Sequence, residues 1–316
     1  MRLVLLDIYQ QLFLMSVITG MFYLMLKVFQ KKTNRSMSAR WHYYTSVFVY
    51  LFLVLPYHKV LSLFLPEYKL SFWSNLPNGS ISTILYNNLK FETVLIEGRN
   101  PLFFYFSFFP YVLLLGSIVF ITVALIKNYH FHKRVIQMCT LITNKETLEI
   151  LEKCKREKEV KSEILVFQSP FVSTPFLYGL IKPRIVLPSV DLNSEELQFV
   201  FSHELIHWKR RDSWLKLLML LIHSLHWFNP LVYKLRIEID RFCELSCDES
   251  VTLMMNKNER GRYCKLLLRV LWIVADNQSK IYSALSSDSL KHLERRLDMI
   301  MRSRYKKSVI HSLLLV

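Results

Sequence analysis

The chain is short of glycine and of acidic side chains, and each shortage excludes classes of protein. Six glycines among 316 residues exclude a collagen-like or glycine-rich low-complexity chain. Neither a G-x-G-x-x-G pattern nor a phosphate-binding loop pattern occurs, so nucleotide chemistry has no support. The 25 acidic residues are outnumbered by 41 lysines and arginines, which leaves a formal net charge of +16. Such a charge is typical of proteins that bind nucleic acid or anionic lipid, and of the cytoplasmic loops of membrane proteins.

Apolar residues, in contrast, are abundant and gathered in three long runs. They make up 52% of the chain, and the runs cover about residues 3–26, 41–65 and 101–126. The third run holds 26 residues without a charge, and about 20 apolar residues suffice for a helix to cross the hydrocarbon core. Apart from Arg2, the first run lacks the basic start and the small-residue cleavage site of a signal peptide. We therefore expect three N-terminal transmembrane helices.

The loops between these runs predict the orientation in the membrane. Residues 27–40 contain five basic residues and no acidic one, whereas residues 66–100 contain three of each. By the positive-inside rule the N-terminus lies outside, and the chain after residue 127 lies in the cytoplasm at the cell membrane. The basic excess is then a topology signal, and direct binding of nucleic acid is not expected. All five cysteines follow the third run, and an odd number on the reducing side argues against a disulfide framework.

The domain organisation follows from these spans. We expect a transmembrane domain over residues 1–127, a cytoplasmic domain over 128–307, and the start of a truncated fourth span over 308–316. Inside the cytoplasmic domain, the apolar segment Trp214–Phe228 has 15 residues and is short for a span. It predicts a re-entrant or interfacial helix that holds the domain against the bilayer, and a buried core helix of the cytoplasmic domain is the alternative.

Short strands followed by helices are predicted for the cytoplasmic domain. Asn193 is followed three residues later by Glu196, a capping-box pattern that predicts a helix over about 194–208. Upstream, prolines bound short apolar segments, which favours a small sheet with exposed edges. These predicted strands cover residues 164–167, 176–181 and 184–187.

His203 and His207 lie four residues apart on the predicted helix, in the sequence HELIH. Residues at i and i+4 share one helix face, so both imidazoles can reach one metal ion. Glu204 stands beside the first histidine, where its carboxylate can take a proton from a water molecule at the metal. The pattern indicates one zinc ion per chain, with Glu204 as the general base.

A catalytic zinc ion needs a third protein ligand and one open position. We expect Glu244 as this ligand, on a predicted helix over about 236–255. Asp248 follows it by one turn and can accept the second ring N–H of a ligating histidine. Two rival carboxylates, Glu238 and Glu249, have no carboxylate four residues later.

A zinc site without catalysis is the alternative interpretation of the same histidines. It would use Cys243 and Cys247 as the remaining ligands, in a closed Cys2His2 site. Such a site would leave Glu204 without a role and no coordination position for water.

Several segments of the chain resemble one family of enzymes. HELIHWKRRD at 203–212, HWFNPLVY at 226–233 and ELSCDE at 244–249 are similar to the integral-membrane zinc peptidases of the BlaR/MecR family. These are gluzincins that relay cell-wall antibiotic signals in Gram-positive bacteria. FLYGLIKPRIVLP at 176–188 and the three-span beginning resemble the same family. The resemblance implies zinc on His203, His207 and Glu244, with Glu204 as general base and Asp248 as the partner of a ligating histidine.

The resemblance also implies a fold and a role. We expect a mainly α membrane protein in which three transmembrane helices precede a cytoplasmic α+β zinc peptidase domain of gluzincin type. The implied substrates are a cytoplasmic DNA-binding repressor and the chain itself, and the polar stretch 277–288 is the accessible place for self-cleavage. The BlaR and MecR proteins continue into a penicillin-binding sensor with an S-T-x-K nucleophile, and no such tetrad occurs in these 316 residues. We expect either a truncated or partial chain or a family member that lacks this sensor.

Other features stay open at this point. A non-catalytic membrane receptor with a structural zinc site and a membrane-tethered nucleic-acid binder are the competing functions, and a homo-oligomer is compatible with the sequence. The predicted strands offer a sheet edge that can bind an extended substrate. The group that stabilises the oxyanion is not identified, and its candidates are His223, His226, Tyr233 and Arg236.

Overall fold

The computed structural model describes residues 2–33, 37–55, 108–277 and 287–302. Within these ranges the protein is mainly helical and contains one small mixed sheet. The elements are α1 (Arg2–Thr33), α2 (Ala39–Leu51), α3 (Phe109–Arg134), β1 (Thr140–Leu141), α4 (Lys145–Glu157), β2 (Leu165–Ser169), β3 (Phe176–Tyr178), β4 (Arg184–Pro188), α5 (Ser194–Arg210), α6 (Asp212–Leu225), α7 (Pro230–Thr252), α8 (Lys257–Asn277) and α9 (Ser287–Arg302).

Two helices of the described chain are long and apolar enough to cross a membrane. They are Gln11–Thr33 within α1, and Phe109–Met138, which comprises α3 and a short 3-10 helix after it. In their most apolar stretches only 28% and 17% of the residues are buried within the protein. An apolar helix that stays largely uncovered is typical of a lipid-facing span rather than of a buried core helix.

The expectation of three spans is not met in the described residues, where two candidates are found. The second run forms α2, which has 13 residues and ends at Leu51. A helix of that length rises about 20 Å, short of the roughly 30 Å hydrocarbon core. In the sequence, Pro56 also disfavours a continuous helix through this run, because a proline has no N–H to donate and its ring clashes with the preceding helical turn. Residues 56–65 and 101–107, which belong to the predicted second and third spans, lie outside the described residues.

α6 and α7 form a hairpin whose tip packs among the three N-terminal helices. The tip donates hydrogen bonds from Asn229 to Ser16 Oγ (2.6 Å), from His226 to the carbonyl of Leu53 (3.1 Å) and from Trp227 to the carbonyl of Leu113 (3.1 Å). Since Ser16 and Leu113 belong to the two candidate spans, the tip of the hairpin lies against both of them. This packing is compatible with the re-entrant interpretation of Trp214–Phe228 and with the alternative of a core helix.

A glycine makes the close approach of the tip to α3 feasible. A Cβ atom at Gly116 would lie 2.3 Å from the indole of Trp227, well inside van der Waals contact. Further along the hairpin, Lys27 of α1 forms an ion pair with Glu238 of α7. The hydroxyl of Tyr50 donates to the carbonyl of Met219 at 2.9 Å. Polar contacts therefore fix the hairpin against α1, α2 and α3 along much of its length.

The sheet of the second half has the strand order β1-β2-β4-β3. β2 and β4 pair in parallel, and the two outer pairings are antiparallel. The predicted strands are confirmed to within a few residues, although β3 ends at Tyr178 instead of Ile181. α4, α5 and the two central strands enclose a core in which Leu151, Val166, Ile185 and Phe201 are at most 1% exposed.

α5 begins as the capping-box pattern predicts. The side chain of Asn193 accepts from the Glu196 amide at 2.8 Å, and the Glu196 carboxylate accepts from the Asn193 amide at 3.0 Å. At the other end, Arg211 adopts a left-handed conformation with φ of 59°. This residue separates α5 from α6 and turns the chain, so that Asp212, the first residue of α6, lies back against α5.

Candidate metal centre

α5 and α7 bring the three side chains predicted as metal ligands together. The Nε2 atoms of His203 and His207 lie 3.1 Å apart. The carboxylate of Glu244 on α7 lies 3.4 Å from His203 Nε2 and 3.6 Å from His207 Nε2. The two histidines lie on one helix, whereas Glu244 lies on another, 37 positions after His207 in the sequence.

Behind His207 lies a set of side chains that we call the His207 support: Asp212, Arg210 and Tyr43. The Nδ1 atom of His207 lies 2.7 Å from a carboxylate oxygen of Asp212. Asp212 also accepts from Arg210 Nη2 at 2.5 Å and from the Tyr43 hydroxyl at 2.9 Å. With Nδ1 engaged in this way, Nε2 of His207 faces Glu244. Asp212 itself is only 2% exposed.

His203 has a matching set, which we call the His203 support: Asp248, Tyr263 and Arg296. The Nδ1 atom of His203 lies 3.1 Å from the Tyr263 hydroxyl and 3.4 Å from Asp248. Asp248 accepts from Tyr263 at 2.8 Å and from Arg296 at 2.6 and 2.8 Å. Each histidine is therefore held from behind by one carboxylate, one guanidinium and one phenol, an arrangement that fixes the ring and its tautomer.

The electrostatics of the site favour a positive charge at the two imidazoles. Burial alone would lower the pKa of His203, but hydrogen bonds with Asp248 and Glu244 outweigh burial and raise this pKa to about 9. Burial also lowers the pKa of His207. The hydrogen bonds with Asp212 and Cys243 and the charge of Glu244 outweigh burial and raise this pKa to about 10. Carboxylates that attract protons onto two imidazoles also attract a divalent cation between them.

The supporting carboxylates stay ionised across the physiological pH range. Burial raises the pKa of Asp212, yet its bonds with His207 and Arg210 prevail and lower it to about 2. Burial also raises the pKa of Asp248, but Arg296 and His203 outweigh burial and lower this pKa to about 2. Burial would raise the pKa of Glu244 as well, but the two histidines and Arg296 keep it well below its usual value.

The alternative cysteine site lies on the opposite side of His207. Cys247 Sγ is 3.5 Å from His207 Nδ1, and Cys243 Sγ is 3.3 Å from Asp212, so these thiols could contribute to a metal site by distance. The guanidinium of Arg210 occupies that side, however, with Nη2 at 3.0 and 3.2 Å from the two sulfur atoms. A metal cation there would meet a buried positive charge, which argues against this position.

The two rival carboxylates are engaged elsewhere. Glu238 pairs with Lys27, and Glu249 accepts from the backbone amide of Arg40 at 3.0 Å. Both contacts join α7 to the N-terminal helices. Glu244 is thus the glutamate of α7 whose carboxylate faces the two histidines.

A cleft of about 330 Å³ opens over the histidines. Its wall includes Glu204, which is 7% exposed, and residues 174–177, which comprise part of β3 and the segment before it. Among the described strands β3 pairs with β4 alone, and its residues Phe176 and Leu177 line the cleft. The other edge strand, β1, contributes no residue to the lining. Of the two edge strands, β3 is therefore the one beside the cleft.

Apart from the ligand set and Glu204, the sequence did not single out the polar side chains that border this cleft. Tyr263 and Arg296 line it, whereas none of the four proposed oxyanion donors does so. His223 stacks on Phe120 of α3, at a ring-centroid distance of 5.2 Å, and His226 lies at the hairpin tip. The sequence analysis did not assign a role to Asp212, the last residue of HELIHWKRRD. Its position as an acidic residue just after the end of the histidine helix is the one signal that could have identified it.

Comparison with known proteins identifies the family. Residues 10–300 match the family described as BlaR1 peptidase M56. The regulatory protein BlaR1 of Bacillus licheniformis is 27% identical over 302 residues, which cover 89% of this chain and 49% of that protein. The methicillin resistance mecR1 protein of Staphylococcus aureus is 32% identical over 125 residues, or 38% of this chain and 21% of that protein. The chain spans about half the length of the first of these relatives. It belongs to the BlaR1 peptidase M56 family.

Proposed function

We propose that the protein is a membrane-embedded zinc metalloendopeptidase that hydrolyses peptide bonds of a cytoplasmic protein. The observation that carries this proposal is the convergence of His203, His207 and Glu244 at the cleft. In a tetrahedral zinc site with bonds of about 2.0–2.1 Å, the ligand atoms lie about 3.3–3.4 Å apart. The two Nε2 atoms lie 3.1 Å apart, Glu244 Oε2 lies 3.4 Å from His203 Nε2, and Glu244 Oε1 lies 3.6 Å from His207 Nε2, so both nitrogen atoms and the carboxylate are close to such spacings.

The donor set also fits a catalytic ion and not a closed structural one. Two imidazoles and one carboxylate are a typical catalytic triplet, because three protein ligands leave one position open. When bound there, zinc lowers the pKa of a water molecule towards about 7 and polarises the scissile carbonyl. The family membership of the chain supports a metallopeptidase of this kind.

Glu204 is the general base in this proposal. It borders the cleft next to His203, and its side chain is largely buried, so bulk water competes little for its carboxylate. In this position it takes the proton of the attacking water and returns it to the leaving amine. Asp212 and Asp248 keep the Nδ1 atoms of the histidines occupied, and the Nε2 atoms thereby stay available to the metal.

The edge of β3 provides a binding mode for the substrate. An extended peptide that pairs with residues 176–178 would add a strand to the sheet and pass directly over the cleft. Main-chain hydrogen bonds supply the affinity in this mode, and many sequences are accepted. Such tolerance suits a peptidase with a repressor and its own chain as substrates.

The wider role is an extension from the relatives. One relative is named a regulatory protein and another a methicillin resistance protein, and we place this chain in antibiotic-response signalling on that basis. The substrate is then a DNA-binding repressor, with self-cleavage in the stretch 277–288. The basic loops support an N-terminus outside and a peptidase domain in the cytoplasm, with residues 1–127 as the membrane domain and 128–307 as the peptidase domain.

Glu204→Gln tests the catalytic assignment. The variant should retain one zinc ion per chain in elemental analysis and lose about 10²- to 10⁴-fold in cleavage of an unfolded reporter protein. Glu195→Gln is the matched control, since Glu195 lies on the same helix in an exposed pair with Arg262. Cleavage retained by Glu204→Gln would exclude Glu204 as the base, and zinc retained by His203→Ala or Glu244→Ala would exclude the ligand set.

A non-catalytic transducer with a structural zinc site is the second candidate. The distance of 3.5 Å between Cys247 Sγ and His207 Nδ1 is the observation in its favour. The two candidates differ in a direct measurement, because zinc–sulfur bonds are about 2.3 Å long and zinc–nitrogen bonds about 2.0–2.1 Å. X-ray absorption at the zinc edge without a sulfur ligand supports the peptidase, and a sulfur ligand supports the transducer.

A further inference from the structure

Asp248 is a fully buried carboxylate whose partners sit on three different helices. It is 0% exposed, accepts from the Tyr263 hydroxyl on α8, and lies 3.4 Å from the Nδ1 of His203 on α5. Two donors of Arg296 on α9, at 2.6 and 2.8 Å, complete its coordination in a fork-like pair. A buried carboxylate is stable only with such compensation. Arg296 therefore supplies the formal charge that balances Asp248.

The same guanidinium also approaches the proposed ligand Glu244. Arg296 Nη1 lies 3.7 Å from Glu244 Oε2, farther than its bonds with Asp248. Arg296 thus contacts Asp248 on the Nδ1 side of His203 and approaches Glu244 on the Nε2 side. At 3.7 Å it attracts Glu244 without a hydrogen bond, so the carboxylate remains available to a metal ion.

α9 is anchored independently of this arginine. It packs against α7 and α8, and Ile300, one turn beyond Arg296, is 0% exposed in the main core. Because 48 residues separate Arg296 from Asp248, the pair forms only when α9 docks. The geometry therefore connects the docking of a late helix with the orientation of an imidazole at the metal centre.

We propose that Arg296 is a positioning residue: it holds Asp248 against the Nδ1 of His203 and orients Glu244, so that metal affinity depends on the docking of α9. This inference rests on the proposed function, since it takes His203, His207 and Glu244 as the metal ligands. Arginine suits the task because its planar fork fixes both carboxylate oxygens, whereas a lysine is a single point charge. By thermodynamic reciprocity, metal binding must stabilise the docked helix by the same factor by which docking raises the metal affinity.

The first test measures zinc affinity by chelator competition on the full chain in detergent micelles. Arg296→Gln should weaken zinc binding about 10- to 100-fold, the usual effect of removing a partner behind a metal ligand. Arg296→Lys should recover part of the loss because it restores the charge without the fork. Arg295→Gln is the matched control, an exposed arginine one position earlier, and it should change the affinity less than about twofold.

The second test asks whether Arg296 acts through Asp248. In an Asp248→Asn background, Arg296→Gln should weaken zinc binding much less than it does in the wild-type chain, since the two changes remove one shared interaction. Hydrogen exchange over residues 287–302 supplies a readout without activity. Zinc should slow this exchange in the wild-type protein and leave it nearly unchanged in Arg296→Gln.

The outcomes separate this inference from the proposed function. Zinc binding that survives His203→Ala or Glu244→Ala overturns both, because the ligand set is then wrong. Zinc binding that requires those ligands but is as tight in Arg296→Gln as in wild type overturns only the positioning role. If Arg296→Gln does not fold, Arg296→Lys decides: wild-type affinity and wild-type exchange of α9 in that variant overturn the role of the fork.

Discussion

The His207 support and the His203 support have the same composition and different origins in the chain. Two members of the His207 support follow their histidine within five residues, at the junction of α5 and α6. The members of the His203 support lie on α7, α8 and α9, 45 to 93 residues after theirs. One imidazole is thus fixed when a local helix junction forms, and the other only when the last helices of the described chain dock. The same three kinds of side chain thus support both histidines, largely through contacts close in sequence for His207 and through contacts distant in sequence for His203.

The two supports also connect the site with different parts of the molecule. Tyr43 ties the His207 support to α2, beside the candidate spans, whereas Arg296 ties the His203 support to α9. A disturbance of the membrane-spanning part should therefore reach one histidine first, and a disturbance of α9 the other. The following predictions separate these two effects.

The largest expected effect is the pH dependence of zinc binding. In the metal-free protein both histidines hold protons up to pKa values of about 9 and 10, and the metal must displace them. Zinc affinity should thus rise about 100-fold per pH unit between pH 6.5 and 9, one factor of ten for each proton. Chelator competition over a pH series, with the chelator's own protonation calibrated, measures this slope, and an affinity independent of pH would contradict it.

The same raised pKa values fix the sign for the stability of the metal-free protein. Both histidines have folded-state pKa values above their ordinary value of 6.5, so their contribution is complete below about pH 6.5. It should be lost progressively from about pH 6.5 and be gone once the pH has passed through 9 to 10. Thermal unfolding of the metal-free protein should therefore shift to lower temperature between about pH 6.5 and 10, and Asp212→Asn, which removes a partner that raises the pKa of His207, should make the loss smaller and complete at lower pH.

Next in size is the global destabilisation by Asp212→Asn. The variant leaves the buried Arg210 and His207 without their carboxylate, and breaking a buried pair in this way costs about 3–5 kcal/mol. The free energy of unfolding in micelles, from denaturant titration, measures the loss. A change below about 1 kcal/mol would show that the His207 support is not a structural unit.

Asp248→Asn should act more locally than Asp212→Asn. It removes the partner of Arg296, so we expect faster hydrogen exchange in α9 while α5 and α6 keep their protection. Exchange that accelerates equally in α6 and α9 would argue against the separate origin of the two supports.

Tyr43→Phe and Tyr263→Phe form a matched pair of smaller changes. Each removes one hydrogen bond to a buried carboxylate, 2.9 Å long at Asp212 and 2.8 Å at Asp248, and Tyr263→Phe also removes the 3.1 Å contact with His203 Nδ1. A hydrogen bond to a charged group contributes about 1.5–3 kcal/mol, so both variants should lose comparable stability. Denaturant titration with Tyr263→Phe close to wild type would show that Arg296 alone suffices for Asp248.

The smallest effect is expected for Arg262→Gln. Arg262 pairs with Glu195 at 2.7 Å, but 49% and 40% of the two side chains are exposed. Exposed pairs contribute about 0–1 kcal/mol. The variant should leave both unfolding and zinc binding unchanged, and it serves as the baseline for the four buried changes.

The parts of the site that the sequence predicts are those written in local patterns. The i, i+4 spacing of His203 and His207 and the capping box of α5 need only the helix period, and the structure contains both. Glu244 and Asp248 also follow from that period, and the structure places both beside the histidines. Arg296 carries no such pattern, because a single arginine on an amphipathic helix is indistinguishable from its exposed neighbours.

The predicted membrane part shows the opposite limit. Hydropathy counts apolar residues but does not register where a helix ends, so the sequence predicts a span over about 41–65, whereas α2 ends at Leu51 and residues 56–65 lie outside the described part of the chain. For the apolar segment Trp214–Phe228, length alone left a re-entrant helix and a core helix open, and its placement between three helices depends on contacts such as that of Gly116 with Trp227.

The amino-acid sequence by itself determined which side chains are candidate metal ligands and which segments are apolar enough to enter a membrane. Side-chain type and helical period decide which ligands share a face, and apolar length decides which helices can enter a bilayer. Only the tertiary structure decided which nitrogen atoms face the cleft, since Asp212 occupies Nδ1 of His207, and Asp248 and Tyr263 occupy Nδ1 of His203. Such choices depend on charges brought together from separate helices, where burial makes each unpaired group costly and thereby selects one arrangement.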